Sequence, residues 1–139
     1  METIRFKLVE GGFPPVAGLG DWIDLCARES IKYQRDSIIK IPLGVALQLP
    51  EGYEAMLCLR SSTPVRYGIL QANSPGVIDE KFCGDEDEIC LLALTFRDAY
   101  IPAGTRIAQL RIFKKQCVCL EEVKLLGNPS RGGFGSTGN

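Results

Sequence analysis

The stretch Ile39-Lys40-Ile41-Pro42-Leu43-Gly44-Val45-Ala46-Leu47-Gln48-Leu49 carries an apolar residue at every odd position. A period of two sends alternate side chains to opposite faces, so this reads as a half-buried strand, and Pro42 and Gly44 within it point to a sheet edge or a bulge. The same alternation runs through Ile4, Phe6 and Leu8, and through Ala108, Leu110 and Ile112, where Gln109 and Arg111 face the other way. Turn residues punctuate the chain at Gly11-Gly12, Pro14-Pro15, Pro50-Glu51-Gly52, Ser74-Pro75-Gly76, Pro102-Ala103-Gly104 and Gly127-Asn128-Pro129. Short strands at that spacing predict an all-β sandwich or barrel. The helix candidates are residues 21–35, where Asp21 could cap and Trp22, Leu25, Cys26 and Ile31 share part of a face, and a short turn over residues 62–67, neither long nor clean enough to change the class. No repeat or linker divides the chain. Its last residues, 131–139, hold Phe134 as almost their only apolar side chain and have little means of folding on themselves.

At 139 residues the chain is sized for one domain, and its 45% apolar and 24% charged residues match an ordinary globular protein and exclude a fibrous or disordered one. Sixteen Lys and Arg against 17 Asp and Glu leave a net charge of −1, so there is no global basic field to hold nucleic acid. Thr95 interrupts the longest apolar run, over residues 89–96, well short of the roughly 18 residues of a membrane span. The charged start, with Glu2, Arg5, Lys7 and Glu10, does not read as a secretory signal. Six cysteines, three of them inside apolar stretches, read as reduced thiols, and the expected location is cytoplasmic. The chain has no histidine. Ser/His/Asp triads, Cys/His nucleophiles and His-ligated metals are therefore excluded, and general-base work falls to a carboxylate or a less usual group.

Four clusters carry chemistry. Arg60-Ser61-Ser62, after the apolar run Tyr53 to Leu59, offers a guanidinium, two hydroxyls and free turn amides, a donor set that suits phosphate. Asn73-Ser74-Pro75-Gly76-Val77-Ile78-Asp79, continuing to Phe82-Cys83-Gly84, places Asp79 behind two apolar residues, partly desolvated and the natural group to activate a water. Gly104-Thr105-Arg106-Ile107-Ala108-Gln109 sets Arg106 and Gln109 in an apolar strand. In Arg131-Gly132-Gly133-Phe134-Gly135-Ser136-Thr137-Gly138, glycines admit close backbone approach to phosphate, with one cation and one ring for stacking. Taken singly, each also has a plain structural reading: a Ser-capped turn, a solvated turn carboxylate, polar positions on a strand, a linker. The acidic run Asp85-Glu86-Asp87-Glu88 reads as a solvated loop or a divalent-ion attractor.

Taken in order, together with Trp22-Ile23-Asp24-Leu25, these segments resemble the trimeric dUTP pyrophosphatase (dUTPase) family. The resemblance implies a distorted jelly-roll β-barrel of the β-clip type over residues 1–130, with a glycine-rich arm, 131–139, closing the site. It implies a homotrimer with shared active sites: one subunit gives the base-binding hairpin, a neighbour the Arg-Ser-Ser and Gln segments, the third its arm. By the same resemblance Asp79 deprotonates the water that attacks the α-phosphorus of dUTP, giving dUMP and pyrophosphate. Arg60, Ser61, Ser62 and Gln109 meet the phosphates and Arg131 the γ-phosphate. Phe134 stacks on uracil, with Gly135 and Ser136 beside it in the arm. Mg²⁺ rides on the triphosphate, with Asp24 helping through water. Asn73, Gly76, Val77 and Ile78 present the hydrogen-bonding pattern that selects uracil over cytosine and leave no room for a thymine methyl. Phe82 stands where the family usually has tyrosine and blocks a ribose 2′-OH. The sequence departs from the family in a shorter spacing between Arg131 and Phe134 and in a longer acidic stretch after Gly84. Two alternatives share the fold. A dCTP deaminase needs a glutamate where this chain reads Ile89-Cys90-Leu91-Leu92, and a trimer with a regulatory protein-binding role would use the same barrel.

Overall fold

A computed structural model of the chain describes residues 1–135. The run at 39–49 forms two strands rather than one: β4 (Ile38–Pro42) and β5 (Val45–Gln48), the fourth and fifth in chain order. The break falls at Leu43 and Gly44, where the chain leaves one sheet for another. Gly44 sits at φ +73°, and a Cβ there would lie 2.7 Å from Gly12 Cα, so both the backbone conformation and the close approach require glycine. The apolar alternation survives the break, with Ile41, Leu43, Val45 and Leu47 all buried.

The other elements are β1 (Arg5–Leu8), β2 (Ile23–Cys26), β3 (Ile31–Tyr33), β6 (Tyr53–Leu59), α1 (Thr63–Tyr67), β7 (Ile69–Gln71), β8 (Gly76–Ile78), β9 (Cys90–Thr95), β10 (Ala99–Ile101) and β11 (Arg106–Lys114). All pairings are antiparallel, in sheets ordered β2-β11-β6-β8, β4-β9-β7, β1-β5 and β3-β10. They wrap one core, in which Leu25, Ile41, Leu43, Ile69, Leu91, Ile101, Ile107 and Leu110 are essentially out of water, giving the expected all-β jelly-roll barrel. Among the described residues no helix is long and apolar enough to cross a membrane.

The helix candidate at 21–35 does not form. That span forms β2 and β3, because ladder partners outcompete a poorly formed helical face: Asp24 exchanges both backbone bonds with Val16, and Ala27 N donates to Thr105 O at 2.9 Å. The short turn at 62–67 does form, as α1, closed by Gly68 in the left-handed conformation.

The acidic run is a fastener. Glu88 accepts from Arg28 Nε at 2.8 Å and Nη2 at 3.3 Å, and from Gly44 N at 2.8 Å, tying the β4–β5 break to the loop before β9. Asp87 accepts from Gly84 N at 2.8 Å, and the Asp85 carbonyl from Lys7 Nζ at 3.1 Å. All six cysteines are free thiols, and burial pushes those of Cys26 and Cys90 up.

Glu80 pairs with Lys115 and accepts from Gly52 N at 2.7 Å, which together hold its carboxyl below the usual range. A depressed folded-state value stabilises the fold fully above the unfolded carboxylate pKa of about 4.3, and the benefit drains away as pH falls through the folded value. Glu80→Gln is therefore expected to be less stable than wild type at neutral pH, with the two converging in acid, as read from urea midpoints across pH. Leu91, fully buried on the central strand of its sheet, should cost about 2–5 kcal/mol on replacement by Ala in the same assay.

Candidate active site

Two clefts gather many of the residues singled out in the sequence, though not Ser62 or Arg106. The first lies along the connection between β7 and β8. These strands belong to different sheets, β7 beside β9 and β8 beside β6, so the segment between them crosses from one sheet to the other. It leaves a cleft of about 380 Å³ lined by Asn73, Gly76, Val77, Ile78, Asp79 and Phe82, with Lys40, Leu57, Glu88, Ile89 and Cys90 as its wall. Gly76 is packed tightly: a Cβ there would stand 3.2 Å from both Leu57 Cβ and Gln71 Nε2, and that amide donates to Leu57 O at 2.9 Å. β8 is the edge strand of its sheet, so one side of its main chain faces the cleft rather than another strand. Asp79 follows directly. Its Oδ1 accepts from Lys81 N at 2.8 Å and its carbonyl from Phe82 N at 3.0 Å, a side-chain-capped turn that presents both the carboxylate and the Phe82 ring.

Asp79 is exposed, not partly desolvated as its apolar predecessors suggest. Ile78 is buried and Val77 exposed, so the apolar pair does not build a wall around the carboxylate that follows. Glu88 is the other carboxylate at this cleft, and Arg28 and Gly44 N hold it from behind.

The second cleft, about 290 Å³, is lined by Asp21, Trp22, Asp24, Arg60, Ser61 and Gln109, with Leu19 and Gly20 at its rim. The β ladder sets it up: Gln109 on β11 pairs with Asp24 on β2 and with Cys58 on β6, so these positions lie side by side, and Arg60 follows the end of β6. Gln109 Nε2 donates to Leu59 O at 3.0 Å. Asp24, nearly buried, meets Arg60 Nε and Arg106 Nη1 through one oxygen, Oδ2, each at 3.2 Å. Two guanidiniums against Asp24 leave one positive charge over, and the shared carboxylate fixes where it sits, while the cleft's other carboxylate, Asp21, is matched by Arg111 Nε at 3.3 Å. Ser62 stands at the N-cap of α1 without a side-chain capping bond, so its hydroxyl does not serve as the cap a plain turn would use.

Sequence pattern marks Arg106 as a polar position in an apolar strand but does not pair it with Asp24. Strict alternation puts it on the face of Ala108 and Leu110, away from Gln109. The β2–β11 register shifts between Arg106 and Ala108, and this bulge re-aims Arg106 onto Asp24. The bulge has no glycine or proline to announce it.

The clefts share no lining residue among those described. Arg131, Phe134 and Gly135 are exposed and line neither; Ser136 lies outside the described residues. Among the described residues no group of three or more Asp, Glu or Cys converges to hold a metal, and Asp24 is already committed to two arginines. This donor set fits a hard divalent ion that brings its own phosphate and water ligands, not one caged by protein.

Asp24→Ala is expected to leave Arg60 and Arg106 without their common partner. Since both guanidiniums remain partly wet, the cost should be about 2 kcal/mol, less than for a fully buried pair, measured by denaturant unfolding.

A model of the dUTPase family matches residues 12–138 of the chain. The prophage SPbeta-derived deoxyuridine 5′-triphosphate nucleotidohydrolase YosS of Bacillus subtilis is 52% identical over 120 residues, which span 86% of this chain and 84% of that protein. The deoxyuridine 5′-triphosphate nucleotidohydrolase of Rickettsia prowazekii is 43% identical over 84% of this chain and 80% of its own length. Among solved structures, a Staphylococcus bacteriophage 80alpha dUTPase with dUpNHpp covers 100% of both chains at a TM-score of 0.82 and 20% identity, a likeness of fold. The family model and the close relatives, covering nearly the whole chain, establish that it belongs to the dUTPase family.

Proposed function

We propose that the chain hydrolyses dUTP to dUMP and pyrophosphate, as a homotrimer whose subunits each bring part of a shared site. The observation that carries this reading is the division of labour between the clefts: an edge strand and a turn carboxylate in one, the guanidinium, hydroxyl and amide donors of Arg60, Ser61 and Gln109 in the other, separate on a single chain. A second subunit that sets its cradle against the hairpin completes the site. The chain's own surface supports assembly: after Lys115 the described residues run exposed, with Leu120 98%, Leu125 86% and Leu126 85% in water, an apolar segment suited to cover by a neighbour.

In this reading uracil lies against the edge of β8 and exchanges hydrogen bonds with the main chain between Asn73 and Asp79. Cytosine would turn a donor toward a donor there, costing on the order of 1–3 kcal/mol for each unpaired buried group. The Phe82 ring closes the space below the sugar. Arg60, Ser61, Ser62 and Gln109 hold the triphosphate so that its α-phosphorus faces a water beside Asp79. The carboxylate accepts the water's proton as the oxygen bonds to phosphorus, and the bond to the bridging oxygen breaks to release pyrophosphate. Positioning and charge neutralisation carry most of the rate. Mg²⁺ bound by the phosphate oxygens and water, with Asp24 reached through that water, would supply further neutralisation of the triphosphate. Residues 131–139 form the arm: Arg131 pairs with the γ-phosphate and Phe134 stacks on the base, with Gly135 and Ser136 following, so bulk water is excluded. The tethering of Glu88 favours hydrolysis over deamination, since a carboxylate held by Arg28 and Gly44 N is poorly placed to shuttle protons at a cytosine ring.

With Mg²⁺ present, dUTP should yield dUMP and pyrophosphate while dCTP is left intact. Ammonia from dCTP would identify a deaminase, and nucleotide binding without turnover a regulatory trimer. Asp79→Asn should fold and bind dUTP yet lose about 10²–10⁴-fold in turnover. Deleting residues 131–139 should lower turnover without changing the sedimentation of the assembly.

A further inference from the structure

One residue beyond Asp79, three chain segments close on a single carboxylate. β6 runs between β11 and β8, and its pairings end at Tyr53 with Lys114 and at Ala55 with Ile78. Past those ends Lys115 N donates to Gly52 O at 2.9 Å, Gly52 N donates to Glu80 Oε2 at 2.7 Å, and Lys115 Nζ donates to Glu80 Oε1. The Glu80 side chain thus continues across β6 a connection that the main chain has stopped making. Both charged side chains are partly sheltered, at 22% and 33% exposure, where an ion pair is screened less than on open surface.

Each end of this ring leads to a part of the site. Glu80 lies inside the turn whose hydrogen bonds, Lys81 N to Asp79 Oδ1 and Phe82 N to Asp79 O, aim the carboxylate and present the ring. Those two bonds are local and exposed, so they shape the turn without anchoring it to the barrel. Lys115 is the first residue beyond β11, at the root of the segment that leads to Arg131 and Phe134. Lys115 also lies near enough to Asp79 and Glu54 to feel their charge, so its removal would take a cation from beside Asp79 and Glu80.

We infer that Glu80 and Lys115 are positioning residues for the reaction: their ion pair, closed through Gly52, locks the Asp79–Phe82 turn to the barrel and fixes the point from which the C-terminal segment departs. The inference rests on the dUTP-hydrolysis reading for its kinetic consequence, while its structural consequence can be read without substrate.

The test compares Glu80→Gln, Lys115→Met, the double variant and Lys115→Arg with wild type in the full-length protein. Misaiming a general base is expected to lower kcat about tenfold in each neutralised single variant, with KM for dUTP within about twofold. The double variant should be no slower than either single one, and Lys115→Arg should keep most of the rate. Without nucleotide, peptides covering residues 79–84 should exchange amide hydrogen several-fold faster in Glu80→Gln, while the β11 core over 106–112 stays protected. Unchanged exchange at 79–84 overturns the inference whether or not the wild type turns over dUTP. So does unchanged kcat in an active background, losses that add in the double variant, or a loss shared equally by Lys115→Arg. A wild type inert toward dUTP with exchange altered as expected would overturn the functional reading and leave the anchoring role supported.

Discussion

The pairing of β11 on both of its edges is the constraint from which the site follows. Its nine residues lie between β2 and β6, and each end holds a different device. Near the start, the bulge turns Arg106 toward Asp24 and leaves Gln109 level with that carboxylate, building the positive cradle. Just past the far end, Lys115 reaches across the end of β6 to the residue after Asp79. A slip of one residue in this ladder would exchange the faces of Gln109 and Leu110, burying an amide and exposing a leucine. Ile107 and Leu110, both essentially out of water, oppose that slip, so core packing sets the register and the register sets the chemistry.

Strand character was plain in the sequence wherever one face is buried and the other wet. The odd-numbered residues of 39–49 point inward as their period requires, and Ala108, Leu110 and Ile112 share one face of β11. What periodicity could not supply was the partner. The chain at 39–49 passes between two sheets because Gly44 must sit against Gly12 and donate its N–H to the Glu88 carboxylate, contacts made by residues far apart in sequence. The segment at 21–35 has too few apolar positions to declare itself as helix or strand, and its ladder with β11 decides. The site followed the same rule. Arg60, Ser61 and Gln109 do share a cleft, as do Asn73, Gly76, Val77, Ile78, Asp79 and Phe82, while Arg106 depended on a bulge that composition does not mark.

Acidic residues show how little a charge run says by itself. Four consecutive carboxylates suggest a solvated loop, yet Glu88 is a half-buried clamp, Asp87 caps its own turn, and Asp85 contributes only its carbonyl. Asp79 and Glu80, neighbours in the chain, are equally divided: one is aimed outward and exposed, the other turned back to Gly52 and Lys115. Partner geometry, not residue type, separates the exposed carboxylate from the tethered one.

The oily stretch that follows Lys115 bears on how such a protein is made. Leu120, Leu125 and Leu126 stand in solvent on the single chain, so a chain just released from the ribosome displays them until something covers them. Where that cover is a sister chain, subunit stability becomes a matter of mass action, rising with protein concentration and falling on dilution. Expression level, chaperone capacity and the speed of encounter between sisters would then decide how much of the polypeptide escapes aggregation, before any nucleotide is met.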